Sequence, residues 1–145
     1  MSFQPETQNP ISDATGKSVE DQLEVPILCY HRVHADDDPR TPDVEPGKYC
    51  GHVTLSQFEQ HMDYLYEQGY HSITQDDLGA WLLEGEKPPA KAVAINFDDN
   101  RYNVLENALP VLRARGFLAT MFVITDLADG KKLWENDHPA LMWDH

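Results

Sequence analysis

Two adjacent carboxylates, Asp98 and Asp99, directly follow a short apolar segment at residues 92–97. That segment has the length and the β-branched content of a strand buried on both faces, as strands are in a parallel sheet. Ionised aspartates at such a strand end repel each other and are costly to desolvate, so they are usually kept where a cation or a proton transfer uses them. A solvated turn is the alternative, because Asp and Asn are common turn residues. We favour the chemical interpretation.

The strands that must position these carboxylates are separated by helices. Apolar segments at residues 25–33, 92–97 and 118–124 predict strands, and a short strand is expected at 70–73. Residues 35–51 are expected to be a loop. The alternation of strands and helices predicts an α/β fold with parallel strands, either a barrel or a doubly wound sheet.

Three helices are predicted between these strands, over residues 54–69, 74–85 and 104–116. The first two begin with threonine capping patterns, and each of the three ends near a glycine. Leu82 is placed on the apolar face of the second helix. Pro110, inside the third, is expected to bend that helix or to remove one backbone hydrogen bond.

In either architecture, ligands bind at the carboxyl ends of the strands. Three pairs of polar residues fall there: Tyr30 with His31, Asp98 with Asp99, and Thr125 with Asp126. A lone histidine at a strand end is often a satisfied core or rim residue, but His31 shares its predicted face with the aspartates. It is therefore a candidate site residue.

The net charge of −14 argues against nucleic acid as a partner, because phosphate binding needs a basic face. It argues in the same way against an anionic membrane surface. No apolar stretch reaches the roughly 18 residues that a transmembrane helix needs. Residues 1–24 are predicted to be a disordered polar leader without the features of a secretion signal, which indicates the cytoplasm. A non-classical route or a misplaced start codon are the alternatives.

The two cysteines, Cys29 and Cys50, could pair, and the sequence leaves that question open. Cys29 lies in an apolar segment and is expected to be a small buried hydrophobe. The acidic run at residues 36–38 is expected to be a solvated loop, because it lacks the ligand spacing and the glycine of a calcium loop.

Several segments, in this order, resemble the polysaccharide deacetylases of the NodB-homology type (carbohydrate esterase family 4). Residues 26–33, PILCYHRV, resemble the first strand of that family, and residues 58–74 resemble the helix and turn that follow. Residues 96–100, NFDDN, match its first catalytic motif, which is usually TFDDG. Residues 108–123 resemble the next helix and strand. The order and spacing of these segments together are fairly specific.

The resemblance implies a distorted (β/α) barrel, here its first strands and helices only. It implies an enzyme that removes N-acetyl groups from amino-sugar polymers or oligomers with a divalent metal, typically zinc. Asp98 would be the general base and Asp99 a metal ligand, a division that makes sense because a ligand must stay ionised while a base needs a free oxygen. His31 and Asn100 are placed at the rim of the active site. The family usually acts outside the cytoplasm, which conflicts with the absent signal.

The chain also departs from the family pattern. Asn96 and Asn100 replace the usual threonine and glycine of the motif, and asparagine is tolerable at position 100 because it enters left-handed backbone conformations readily. Two further metal ligands of the family come from a His-Ser/Thr-x-x-x-His segment, and residues 141–145 resemble the stretch before it. Residues 25–145 are thus expected to be the N-terminal part of the domain, truncated before the second metal-binding motif and inactive or nearly so alone.

His138 and His145 could in principle stand in as metal ligands, but they match no ligand spacing. Two other functions are alternatives. Phosphoryl chemistry on magnesium fits poorly, because the receiver and phosphohydrolase folds that perform it favour an Asp-x-Asp pair or aspartates on separate strands. A degenerate carbohydrate-binding fragment without catalysis is the main alternative to the deacetylase.

Overall fold

The computed structural model of this protein describes residues 24–39, 51–131 and 139–144. Nearly all of the predicted leader, the predicted loop from residue 40 to residue 50, and the alternative ligands His138 and His145 lie outside those ranges. Cys50 lies outside them as well, so its pairing with Cys29 stays an open question.

Three short strands come first, and from residue 55 onward helices and strands alternate as the sequence predicts. The strands are β1 Ile27–Tyr30, β2 Arg32–His34, β3 His52–Thr54, β4 His71–Ile73, β5 Ala92–Asp98 and β6 Thr120–Phe122. The α-helices are α1 Leu55–Glu67, α2 Gln75–Gly79, α3 Leu109–Arg115 and α4 Thr125–Ala128. Two π-helical segments complete the set, Ala80–Glu84 after α2 and Val104–Ala108 before α3. Paired strands run parallel, which confirms the predicted α/β class.

Strand β5 is the centre of a four-stranded sheet. β1 pairs with residues 94–97 of β5, whereas β4 pairs with residues 92–94 and β6 with residues 96–98. Because β1 overlaps both of the others along β5, β4 and β6 must follow one another on the opposite edge. A hydrogen bond of 2.7 Å from the Leu118 amide to Ser72 Oγ joins them there. The carboxyl end of β5 is therefore flanked by β1 and β6.

The two faces of β5 differ in character, because successive side chains of a strand point to opposite faces. Its odd-numbered residues are buried in the main core, where they meet Phe58 of α1. Its even-numbered face begins with two alanines, which are buried with Ile73 and Leu78. The same face continues with Asn96 and Asp98. One face of the sheet thus turns from apolar to polar toward the carboxyl end.

The strand predicted over residues 25–33 is interrupted at His31. The amides of His31 and Arg32 both donate to the Gly51 carbonyl, at 2.7 and 3.3 Å. Residues 32–34 then leave the first sheet and pair with β3, a strand that the sequence does not predict. The break results from these long-range hydrogen bonds, which no local pattern reveals.

Three other predicted elements are changed in extent. Leu82 was expected on an apolar helix face, but it is 66% exposed on the π-helical segment that follows α2. The predicted helix over 104–116 is divided where the π-helical segment gives way to α3. Pro110 lies in the first turn of α3, where its missing N–H is tolerated. Of the strand predicted over 118–124, only β6 forms.

Helix α1 begins with the capping box that the sequence predicts. Thr54 Oγ1 accepts from the Gln57 amide at 3.2 Å, and Gln57 Oε1 accepts from the Thr54 amide at 3.0 Å. We expect Thr54→Ala to lower the free energy of unfolding by about 1 kcal/mol, because it orphans a helix N-terminal amide. Thr54→Ser keeps the acceptor and should lose little. Urea unfolding measures both, and equal losses would attribute the effect to β3 instead of the cap.

Candidate functional site

A thiol, an imidazole and a carboxylate meet where β1 and β5 end. The Cys29 thiol donates to Asp98 Oδ2 at 3.4 Å, and His31 Nε2 lies 3.7 Å from the same oxygen. Cys29 pairs in register with Asn96, so its side chain shares the face of Asn96 and Asp98. The structure thus brings together His31 and Asp98, as the sequence predicts, and adds Cys29.

The expectation that Cys29 is a buried hydrophobe is wrong, because its side chain is exposed. The adjacent Tyr30 points into the main core, where its ring packs against Phe58, and alternation therefore turns Cys29 to the opposite face. The same alternation takes Tyr30 out of the predicted site. Its hydroxyl lies 3.0 Å from His61 Nδ1, and burial raises the pKa of Tyr30 to about 12.

The orientation of His31 is set by Gly51. A Cβ at residue 51 would lie 2.5 Å from His31 Nδ1, so only glycine allows the ring to pack this close to the backbone. Gly51 also has a φ of +75°, a conformation that other residues rarely adopt. With Nδ1 held against Gly51, the ring directs Nε2 toward Asp98.

The Cys29 thiol is kept protonated by its surroundings. Burial raises its pKa, and the hydrogen bond and charge of Asp98, together with the charge of Asp99, raise it further. A protonated thiol can donate to the Asp98 carboxylate, as the observed contact requires. Cys29 in this state is a hydrogen-bond donor and a weak nucleophile.

Asp99 faces different neighbours from Asp98. Its φ is +68° and that of Asn100 is +35°, so the chain turns sharply after β5. Asp99 Oδ2 lies 3.9 Å from a guanidinium nitrogen of the buried Arg101. Burial lowers the pKa of the Arg32 guanidinium, and the charge of Asp99 opposes that shift. Arg32 is therefore a second buried cation near the Asp99 carboxylate. The adjacent carboxylates are therefore directed into separate environments.

Asn100 is fully buried and links three parts of the chain. Its Nδ2 donates to the Leu141 carbonyl at 2.9 Å, and its Oδ1 accepts from the Ile124 amide at 3.0 Å. Its own carbonyl accepts from the Leu141 amide at 2.7 Å. The positive φ agrees with the expectation that asparagine serves here in a left-handed conformation. Asn100 thus holds the turn after β5 through buried hydrogen bonds, whereas the sequence predicts it at the rim of the active site.

Thr125 and Asp126, the third predicted pair, lie in α4. Asp126 forms an ion pair of 2.6 Å with Lys131, so this carboxylate is engaged locally. Sequence reasoning missed Arg32 and Arg101, which are the neighbours of Asp99. The available signal was their position, since Arg32 directly follows His31 and Arg101 directly follows Asn100.

The ring of His52 in β3 lies near the rings of two other histidines, His31 and His34. Its ring centroid lies 6.3 Å from that of His31 and 5.6 Å from that of His34. Burial lowers the pKa of His52 to about 4, and interactions with the guanidinium groups of Arg32 and Arg101 and with the His34 and His31 rings act in the same direction. His52 is therefore neutral in the folded protein near pH 6.

This shift predicts a loss of stability in acid. Because the folded pKa of about 4 lies below the ordinary 6.5, the unfolded chain takes up the proton first as the pH falls. The contribution of His52 is complete above pH 6.5 and is lost between pH 6.5 and 4, by about 1–2 kcal/mol after allowance for solvent screening. Urea unfolding from pH 4 to 8 with a chelator should show a flatter profile for His52→Gln. His71→Gln, which removes an exposed histidine from β4, is the control.

The described residues do not complete a metal site around Asp99. Across residues 24–39, 51–131 and 139–144, the one group of three metal-ligating side chains within 4.8 Å of one another is Cys29, His31 and Asp98. Asp99 is not part of it.

In the part of the chain that the structure describes, no helix is long and apolar enough to cross a membrane.

Comparisons with known proteins give a consistent family. The model of the polysaccharide deacetylase family matches residues 85–141, which include β5 and both aspartates. YxkH of Bacillus subtilis strain 168, whose name assigns it to the polysaccharide deacetylases, is 32% identical over 119 residues, 82% of this chain and 37% of YxkH. The poly-β-1,6-N-acetyl-D-glucosamine N-deacetylase of Staphylococcus aureus is 36% identical over 73 residues, 50% of this chain and 25% of that enzyme.

The fold gives the same result. The structure of the Streptococcus pyogenes deacetylase PplD in complex with acetate superposes with a TM-score of 0.63 at 27% identity, over 75% of this chain and 46% of PplD. The chain thus spans about a third of the length of YxkH and about half of PplD. Its described part is an α/β structure with parallel strands, similar to those deacetylases. Over residues 85–141 the chain matches the polysaccharide deacetylase family, and along its length it is similar to part of the deacetylases named above.

Proposed function

We propose that the site at the end of β5 belongs to a metal-dependent hydrolase that removes N-acetyl groups from amino-sugar polymers or oligomers. The observation that carries the proposal is the separation of the two adjacent carboxylates. Among the described residues, Asp98 contacts the Cys29 thiol and the His31 imidazole, whereas Asp99 lies near the guanidinium of Arg101. Two carboxylates in different surroundings can perform different tasks.

Asp98 is proposed as the general base. The contacts from Cys29 and His31 both fall on Oδ2, so among the described residues Oδ1 is the oxygen placed to accept a proton from an attacking water. Its side chain is 35% exposed, so water and substrate can reach it. His31 lies beside the base at the rim and can hold the position of its carboxylate, since its own ring is fixed by Gly51.

Asp99 is proposed as one ligand of a divalent metal, with zinc expected. A bound metal would polarise the amide carbonyl and lower the pKa of water. Catalytic zinc takes about three protein ligands, and the described residues supply only Asp99 in this role. The role of this chain is to place the base and to hold the Asp99 turn.

The substrate class is proposed from the relatives. The staphylococcal relative is named for poly-β-1,6-N-acetyl-D-glucosamine, an N-acetylated amino-sugar polymer. The exposed polar face formed by the ends of β1 and β5 is compatible with a hydrated sugar chain. We accordingly place N-acetylglucosamine oligomers first among substrates to be tested.

The experiment measures acetate and free amine released from N-acetylglucosamine oligomers, with added zinc or with a chelator. We expect the 145-residue chain alone to release little, because the described residues complete only part of the site. Sequencing the source locus past the codon for His145 decides whether a longer product must be assayed. Chelator-sensitive deacetylation by that product supports the proposal. Oligomer binding that ignores the chelator, without hydrolysis, would favour the carbohydrate-binding fragment instead.

A further inference from the structure

The ligand atoms of Cys29, His31 and Asp98 already have nearly the spacing of a metal site. All three lie within 4.8 Å of one another. The separation from Cys29 Sγ to Asp98 Oδ2 is 3.4 Å, and that from His31 Nε2 to Asp98 Oδ2 is 3.7 Å. Ligands bound tetrahedrally to zinc at about 2.0–2.3 Å lie about 3.3–3.8 Å apart. The distances from Asp98 Oδ2 to Cys29 Sγ and to His31 Nε2 thus already match this geometry. The third distance, between Cys29 and His31, requires at most a small side-chain movement.

The backbone holds these groups in place. Cys29 and Asp98 lie on paired parallel strands, in which Cys29 is in register with Asn96. His31 is fixed by the Gly51 carbonyl, which accepts from its amide at 2.7 Å, and by the close packing of Nδ1 against Gly51. An imidazole so oriented can offer only Nε2. Cys29 is exposed, so an ion can enter from solvent.

We infer that Cys29, His31 and Asp98 form a second metal-binding site, selective for zinc-like ions and distinct from any site that includes Asp99. A thiolate, an imidazole and a carboxylate are each accepted zinc ligands, and three of them leave an open fourth position. The soft thiolate disfavours Mg²⁺ and Ca²⁺, which prefer oxygen ligands. Binding forms a sulfur–metal bond and releases the thiol proton to solvent, with no change of oxidation state.

This inference does not rest on the proposed function, although the two share Asp98. A metal bound to Oδ2 would lower the proton affinity of the Asp98 carboxylate. An excess of zinc should therefore inhibit any hydrolysis that uses Asp98 as base. Substitution of Asp99 distinguishes the proposed catalytic metal site from the thiol-containing metal site. Asp99 is required by the proposed catalytic metal and is not a member of the thiol-containing group.

The test is titration of the purified 145-residue chain with Co²⁺, followed by competition with Zn²⁺. Thiolate coordination gives a sulfur-to-cobalt charge-transfer band in the near ultraviolet, which needs no enzymatic activity. Cys29→Ser should abolish the band, and His31→Asn and Asp98→Asn should each weaken Zn²⁺ binding by more than about 100-fold, beyond the effect of losing an outer-shell partner. Asp99→Asn should keep both the band and the affinity. An excess of Mg²⁺ should not displace Co²⁺.

Controls assign the band to Cys29. Cys50→Ser removes the other cysteine and should leave the band unchanged, and far-ultraviolet circular dichroism confirms that each variant is folded. Gly51→Ala should weaken binding while leaving all three ligands present, since its Cβ displaces the His31 ring. A band that survives Cys29→Ser, or one that is lost in Asp99→Asn, would overturn the inference. So would Zn²⁺ affinity that is equal in the wild-type chain and in Cys29→Ser.

Discussion

Asp98→Asn should lower kcat for amide hydrolysis about 10²–10⁴-fold, in whichever product of the reading frame shows deacetylation, because a positioned general base contributes about that much. The asparagine keeps the size and the hydrogen-bonding position of the side chain at the end of β5, but it cannot take a proton. KM should change little, since the substitution leaves the exposed polar face intact.

The matched control is Asp126→Asn. The sequence placed Asp126 in the same group as Asp98, but the structure shows it in α4, paired with Lys131 at 2.6 Å. Its loss should leave kcat within about twofold, as for a surface charge. Retention of more than a tenth of the activity by Asp98→Asn would remove Asp98 from the role of base.

Asn100→Ala should lower the free energy of unfolding by about 3 kcal/mol. It leaves the Leu141 carbonyl and the Ile124 amide without their side-chain partners, and a buried unsatisfied group costs about 1–3 kcal/mol. It also places alanine at a φ of +35°, which is less favourable for alanine than for asparagine. Urea unfolding followed by circular dichroism measures the change.

Two variants separate the causes. Asn100→Gly, which restores the usual residue of the family motif, relieves the backbone but still loses both side-chain hydrogen bonds, so we expect a loss of about 2 kcal/mol. Asn107→Ala removes a comparable amide that makes one described side-chain bond, from Nδ2 to the Val33 carbonyl at 2.7 Å, and should cost about 1 kcal/mol. If Asn100→Gly were more stable than the wild type, backbone strain would outweigh the hydrogen bonds at this position.

These predictions connect the turn after β5 to distant parts of the chain. Asn100 joins that turn to the start of α4 through Ile124 and to residues 139–141 through Leu141. A loosened turn should disturb both carboxylates, because Asp98 and Asp99 directly precede Asn100. Reduced activity of Asn100→Ala at temperatures where it is still folded would reveal that coupling.

The features that depend on near neighbours in the chain can be predicted from the amino-acid sequence. It predicted the order of strands and helices, because apolar periodicity is local, and the α1 cap, because the capping box spans only residues 54–57. It placed Asp98 at the end of a buried strand and predicted the left-handed conformation of Asn100. The family motif is also local, since residues 96–100 are contiguous.

Which side chains come into contact depends on the fold, because the partners lie far apart in the chain. Cys29 and Asp98 are 69 positions apart, and their contact depends on the register between β1 and β5. The register decides which face each side chain occupies, and a shift of one residue would exchange the two faces. The interruption at His31 and the burial of Asn100 likewise arise from hydrogen bonds to Gly51 and Leu141, partners that no local pattern of residues identifies. Long-range pairing therefore made an exposed site residue of Cys29, which the sequence alone had placed in the core.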